Sequence, residues 1–120
     1  MQKAGLQNDI KAVFWHQGEK NADGTFTNYP TNFETMYNSW KADYPSLNKV
    51  YVFQTNLNSC YAAASVNQSK MREWQRTLPQ LHSDITVFPM VGTPAMQTGD
   101  GNESPYCHYG LQGYKTLEKR

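Results

Sequence analysis

His16, Gln17, Glu19 and Asn21 crowd the segment that follows the apolar run Ile10-Lys11-Ala12-Val13-Phe14-Trp15. An ordinary strand hands over to a turn rich in Gly, Asn or Asp. This one delivers an imidazole, two amides and a carboxylate. A second imidazole, His108, lies far along the chain in Cys107-His108-Tyr109-Gly110, with Asp100 and Glu103 just upstream. A histidine held in a loop near carboxylates is the usual general base for activating a weak hydroxyl nucleophile. Gln54, Asn56, Asn58 and Cys60 form a third polar cluster in the middle of the chain. Any joint chemistry requires a fold that gathers these three segments.

The apolar pattern supplies one. "IKAVFW" (10–15), "KVYVFQ" (49–54) and "ITVFPMV" (85–91) read as buried strands. The first two are near-continuous rather than alternating, as expected when both faces of a strand are covered. Pro89 removes a ladder donor, so the third strand is expected at an edge or with a bulge. Phe33, Met36, Tyr37, Trp40 and Tyr44 share one face of a helix, capped by Asn32 or Thr31 and ended by Pro45. A second helix is expected from about Asn67 to Leu78, with Met71, Trp74, Leu78 and Leu81 on one face and Pro79 beyond its comfortable interior. A third begins near Gly110 and carries Leu111, Tyr114 and Leu117.

The order β-α-β-α-β-α predicts parallel strands joined by right-handed crossovers, a three-layer doubly wound α/β sheet of flavodoxin type. In such sheets function collects at the carboxyl ends of the strands, where all three polar clusters fall. Three strands are fewer than the roughly four to six of a usual sheet. The first also starts close to Met1. The chain therefore reads as a partial domain, the C-terminal portion of a larger one, and an unpaired sheet edge would favour self-association.

The totals narrow the partners. The chain has 120 residues and a formal charge of +1, with its 11 basic residues scattered, which gives no reason to expect nucleic acid or an anionic membrane. No apolar run approaches the roughly 20 residues of a membrane span, and the polar start "MQKAGLQND" is not a secretion signal. Eight Tyr, five Phe and three Trp argue against disorder. His16, His108, Cys60 and Cys107 lack the close spacing of zinc ligands, so no metal is expected. Cys60 and Cys107 either remain thiols or pair across the rim, and pairing would imply an oxidising compartment.

Three segments carry a family resemblance. "VFWHQGEKN" resembles the W-H/Y-Q-G-E-S/D block of the SGNH-type carbohydrate esterases, the sialate O-acetylesterase and acetylxylan esterase group. "MREWQRTL" (71–78) is similar to their R-E-x-Q helical segment, and "CHYGLQGYKTL" (107–117) to their closing H-F/Y-x-x-x-G-Y block. The three occur in family order between about residues 10 and 118.

The resemblance implies a Ser–His–acid hydrolase, without cofactor, that removes acetyl groups from sialic acid or hemicellulose-type glycans in a secreted or periplasmic parent protein. His108 would take the proton of the serine, and an acid would orient its imidazole. Gln17 would donate to, or support, the oxyanion site, with His16, Gly18, Asn21 and Asn56 lining it. The family accepts Tyr in place of His16, which suggests a structural or substrate-lining role there. The acid usually lies three residues before the histidine, where Pro105 stands, so Asp100, Glu103 or Glu19 would serve, or the triad is a dyad. The G-Q-S-N nucleophile block is absent and no serine precedes Ser39, so the chain alone is expected to be inactive. The rival expectation is a non-catalytic glycan-binding remnant of the same fold.

Overall fold

The computed structural model describes residues 5–23, 26–55 and 65–90. Within them β1 (Ala12–Trp15), α1 (Tyr29–Asp43), β2 (Lys49–Phe53), α2 (Ser65–Leu81) and β3 (Ile85–Phe88) alternate along the chain. The strands form one parallel sheet in the order β1-β2-β3. The expected α/β class and parallel topology are both present. The expected third helix near Gly110 lies outside the described residues.

Register explains which side is the core. Val13 pairs with Val50 and Trp15 with Val52, while Val50 pairs with Ile85 and Val52 with Val87. Because side chains alternate along a strand, this pairing places all six on one face. Val50 and Val52 are fully buried there. Two right-handed crossovers stepping the same way across a sheet place both helices on one side of it. Phe33 of α1 accordingly meets Trp74 of α2 edge to face at 5.2 Å. Phe33, Tyr37, Met71 and Leu78 close over the aliphatic face, each large apolar side chain contributing about 1.5–3 kcal/mol.

The other face differs from expectation. The near-continuous apolar strands predicted cover on both sides, yet Phe14 is 69% exposed. α1 and α2 are both spent on the aliphatic side, and β1 and β2 carry Phe14, Tyr51 and Phe53 on the opposite one.

The helix ends also differ. α1 starts at Tyr29 rather than near Asn32, because Pro30 suits a first turn, where its missing N–H has no intrahelical partner to lose. α2 runs through Pro79 to Leu81. Pro79 removes one late bond on the exposed side, while Leu78 is fully buried and the His82 N–H still bonds the Leu78 carbonyl at 2.9 Å. Leu81, expected inward, is 63% exposed in the last turn. The buried stripe of α2 is instead Gln68, Met71, Gln75 and Leu78. Pro89 falls just past β3, an edge strand of this sheet, as expected.

The end of the sheet away from the polar rim is stapled. Asp84 accepts from Tyr37 Oη at 2.7 Å and pairs with Lys41 at 2.8 Å. Burial pushes the Asp84 carboxyl up, but these two donors outweigh it and hold the group below its ordinary value. His82 Nε2 meets both oxygens of Glu34, at 2.9 and 3.0 Å.

Candidate functional site

Gln17 and Gly18 leave the carboxyl end of β1, and Gln54 and Thr55 leave that of β2. α2 braces both exits. The Gln75 side chain accepts from the Thr55 backbone N–H at 2.9 Å and donates to the Gln17 carbonyl at 3.3 Å. It is fully buried, and both ends of its amide are used. Arg72 donates to the Thr55 carbonyl and, at 2.8 Å, to Gln54 Oε1. Gln54 Nε2 returns a bond to the Arg72 carbonyl at 2.8 Å. Burial pulls the Arg72 guanidinium down from its ordinary pKa, and these carbonyl acceptors replace the water it gives up.

The Gln17 carbonyl has a second donor. Tyr29 Oη bonds it at 3.0 Å while accepting from Trp15 Nε1 at 3.3 Å. Burial pushes the Tyr29 phenol up to about 12, so it stays a neutral donor at physiological pH. Two donors thus fix the plane of the Gln17–Gly18 peptide. In a trans peptide the N–H points opposite the C=O, which turns the Gly18 N–H away from the brace. Gly18 has φ +135°, a conformation that favours glycine. A side chain there would also strike Thr55 Cγ2, at 2.9 Å from the Cβ position.

Gln17 Nε2 donates to Asn21 Oδ1 at 2.8 Å, inside the turn that Ala22 N–H closes onto the Gly18 carbonyl at 2.9 Å. Glu19 Oε1 lies 3.4 Å from His16 Nε2, and the His16 ring lies 5.9 Å from that of Phe53. His16, Gln17, Gly18, Glu19 and Asn21 therefore share one short segment at the β1 exit. Asn56, Asp100, Glu103, Cys60, Cys107 and His108 lie outside the described residues.

Two hollows flank α2. A cleft of about 330 Å³ between Gln54, Ser69, Arg72, Glu73 and Arg76 borders the brace. A larger apolar groove of about 700 Å³, lined by Phe26, Val66, Lys70, Trp74 and Thr77 among others, runs along the helix without a histidine or an amide. The chemistry sits nearer the smaller one. Among the described residues no cluster of His, Cys, Asp and Glu is arranged to hold a metal, and no helix is long and apolar enough to cross a membrane.

Residue type and helical period read Arg72 and Glu73 as a solvated face, while the family resemblance hints that Arg72 tethers a neighbouring loop. Glu73 conforms, pairing with Arg76 at 2.6 Å in solvent. Arg72 instead tethers the β2 exit, and Gln75, polar and on the same helix, is buried beside it. The signal was present: Gln68, Met71, Gln75 and Leu78 follow an i, i+3, i+7, i+10 stripe.

Both bracing residues belong to the R-E-x-Q segment, and the turn they brace is the W-H-Q-G-E segment. The whole chain, residues 1–120, matches the model of the family described as carbohydrate esterase, sialic acid-specific acetylesterase. The chain belongs to that family. Comparisons with curated proteins and with solved structures return no match. The parallel α/β sheet is consistent with the sialic acid-specific acetylesterase family. An acetylated carbohydrate is the substrate class that fits it.

Proposed function

We propose that these residues supply the oxyanion-binding and general-base parts of a serine carbohydrate O-acetylesterase acting on acetylated sialic acid or related glycans. The observation that carries this reading is the doubly held Gln17 carbonyl, with Tyr29 and Gln75 as its donors. A rigid peptide presents its Gly18 N–H without reorganisation, which is what stabilisation of a developing oxyanion requires. Each such donor is worth on the order of 3–4 kcal/mol of barrier. The second proton of the Gln17 amide, positioned by Asn21, is the other donor on the same turn.

His108 accepts the serine proton as the hydroxyl attacks the acetyl carbon, and returns it to the departing sugar oxygen. Water then releases acetate from the acyl-serine by the same route. The contact between Glu19 and His16 supports a loop-organising role for Glu19, leaving Asp100 or Glu103 to orient His108. No G-Q-S-N block occurs in these 120 residues and no serine stands before Ser39, so this reading takes the nucleophile from outside them. That same observation favours the rival reading, in which the rim binds glycan without turnover.

Two measurements test these readings. The purified chain should show no hydrolysis of p-nitrophenyl acetate above buffer, and turnover that vanishes on His108→Ala overturns the claim of inactivity. An O-acetylated sialic acid should perturb the Gln17 and Asn21 side-chain amide resonances. Unmoved amides at millimolar sugar remove this turn from both the esterase and the binding readings.

A further inference from the structure

The groove of about 700 Å³ along α2 has the size and lining of a small-molecule site. Such sites hold about 300–1,000 Å³ and combine apolar and aromatic walls with a few polar groups. Here the walls are Phe26, Val66 and Trp74, and Lys70, Glu73 and Thr77 are among the polar groups. Trp74 meets Tyr29 and Phe33 edge to face, at 5.3 and 5.2 Å, and the two contacts set the plane of its indole. Val66, in the first turn of α2, is 65% exposed. Together these side chains make one apolar surface rather than scattered ones, and such a surface marks a contact site.

We propose that this groove binds an acidic sugar residue, with the apolar face of the ring against Trp74 and Phe26 and the carboxylate at Lys70. The choice of a sugar rests on the carbohydrate esterase reading above. A pyranose ring suits these walls because its faces present C–H groups and its edges hydroxyls. Charge then selects among sugars. Arg76 engages both carboxylate oxygens of Glu73, at 2.6 and 2.9 Å. Among the described lining residues, Lys70 therefore gives the groove its sign.

The groove also lies within reach of the rim. The 3₁₀ turns Asn21–Asp23 and Phe26–Asn28 continue the Gln17–Asn21 segment, and both pack on α2. α2 leads from the carboxyl end of β2 towards the start of β3, so Val66 stands at its rim end. The groove and the cleft beside Arg72 share Ser69 and Glu73 as a common wall. A glycan with its acetylated sugar at the Gln17–Asn21 turn thus extends onto α2, where the groove holds a neighbouring residue of that glycan. The substrate class becomes an acidic oligosaccharide rather than a single sugar.

The test is an NMR titration of the full chain with the 2,8-linked dimer of N-acetylneuraminic acid, read at the Trp74 indole N–H. At millimolar sugar this resonance should shift and saturate, and the neutral dimer of N-acetylglucosamine should bind at least twofold more weakly. Lys70→Met should weaken the acidic dimer about two- to fivefold, the range of an exposed ion pair, and leave the neutral dimer unchanged. Val66→Glu brings a like charge into the groove from an exposed position and should weaken the acidic dimer at least as much. An unmoved Trp74 indole overturns the proposal, as does equal binding of the two dimers or indifference to Lys70→Met. The Gln17 and Asn21 amides report the rim separately. Their shift beside a silent Trp74 overturns the groove alone, and the reverse pattern removes the rim reading while supporting the groove.

Discussion

Gly18→Ala tests the rim at its tightest point. The backbone there has φ +135°, and the added methyl would stand 2.9 Å from Thr55 Cγ2, 3.3 Å from Met71 Sδ and 3.5 Å from Gln75 Nε2. The conformation alone costs an L-residue about 1–3 kcal/mol. The wall cannot easily retreat: Thr55 and Met71 are buried, and the Thr55 N–H is held by Gln75. Overpacking of that kind adds about 1–3 kcal/mol. The sum, about 2–6 kcal/mol, is a large share of the roughly 5–15 kcal/mol that stabilises a typical domain. Urea unfolding followed by tryptophan fluorescence should show the midpoint falling by about 1 M or more, given slopes of about 1–3 kcal/mol/M. Adding Thr55→Ser, which deletes Cγ2, should recover the steric part and leave the backbone part. A Gly18→Ala protein within about 0.5 kcal/mol of the parent refutes both the contact and the strain.

Gln75→Leu keeps most of the volume but strips the Thr55 N–H of its acceptor and the Gln17 carbonyl of one donor. Buried groups left unpaired cost about 1–3 kcal/mol each, so a loss of about 2–4 kcal/mol is expected, with faster hydrogen exchange at the Thr55 amide. A neutral Gln75→Leu contradicts the brace. Burial holds Tyr29 and Tyr37 at about 12 instead of 10.0, with the Asp84 hydrogen bond adding to the shift at Tyr37. Both raised values favour the protonated phenol in the folded state. Their stabilisation is therefore complete below pH 10 and is lost as pH rises towards 12. Ultraviolet difference titration should show late-ionising phenols that Tyr29→Phe and Tyr37→Phe each reduce by one, and a curve with every phenol ionising near 10 rules this out.

What the sequence disclosed follows from which forces are local. The apolar runs around Val13, Val50 and Ile85 lie between helical stripes, and that alternation forces parallel strands with a shared carboxyl rim. The polar turn at His16–Asn21 was legible because hydrogen-bonding side chains are out of place at the end of a buried strand. The open aromatic face was not legible. An unbroken run such as Ala12-Val13-Phe14-Trp15 looks the same whether Phe14 meets a helix or solvent, and only the register of Phe14 with Tyr51 and of Phe53 with Phe88 separates the two faces.

The brace was half legible for a different reason. Arg72 and Gln75 are polar residues on a helix, and residue type alone assigns such residues to water. What reverses the assignment is an unmet demand elsewhere: each strand exit carries a backbone group that loses water without gaining a sheet partner. The Thr55 N–H and the Gln17 carbonyl are such groups, and one glutamine amide has the donor and the acceptor to satisfy both. Arginine suits its own place because its fork reaches the Thr55 carbonyl and Gln54 Oε1 at once. Buried polar residues on a helix beside a parallel sheet are thus explained by the loops they serve, and here those loops carry the groups we propose for the oxyanion.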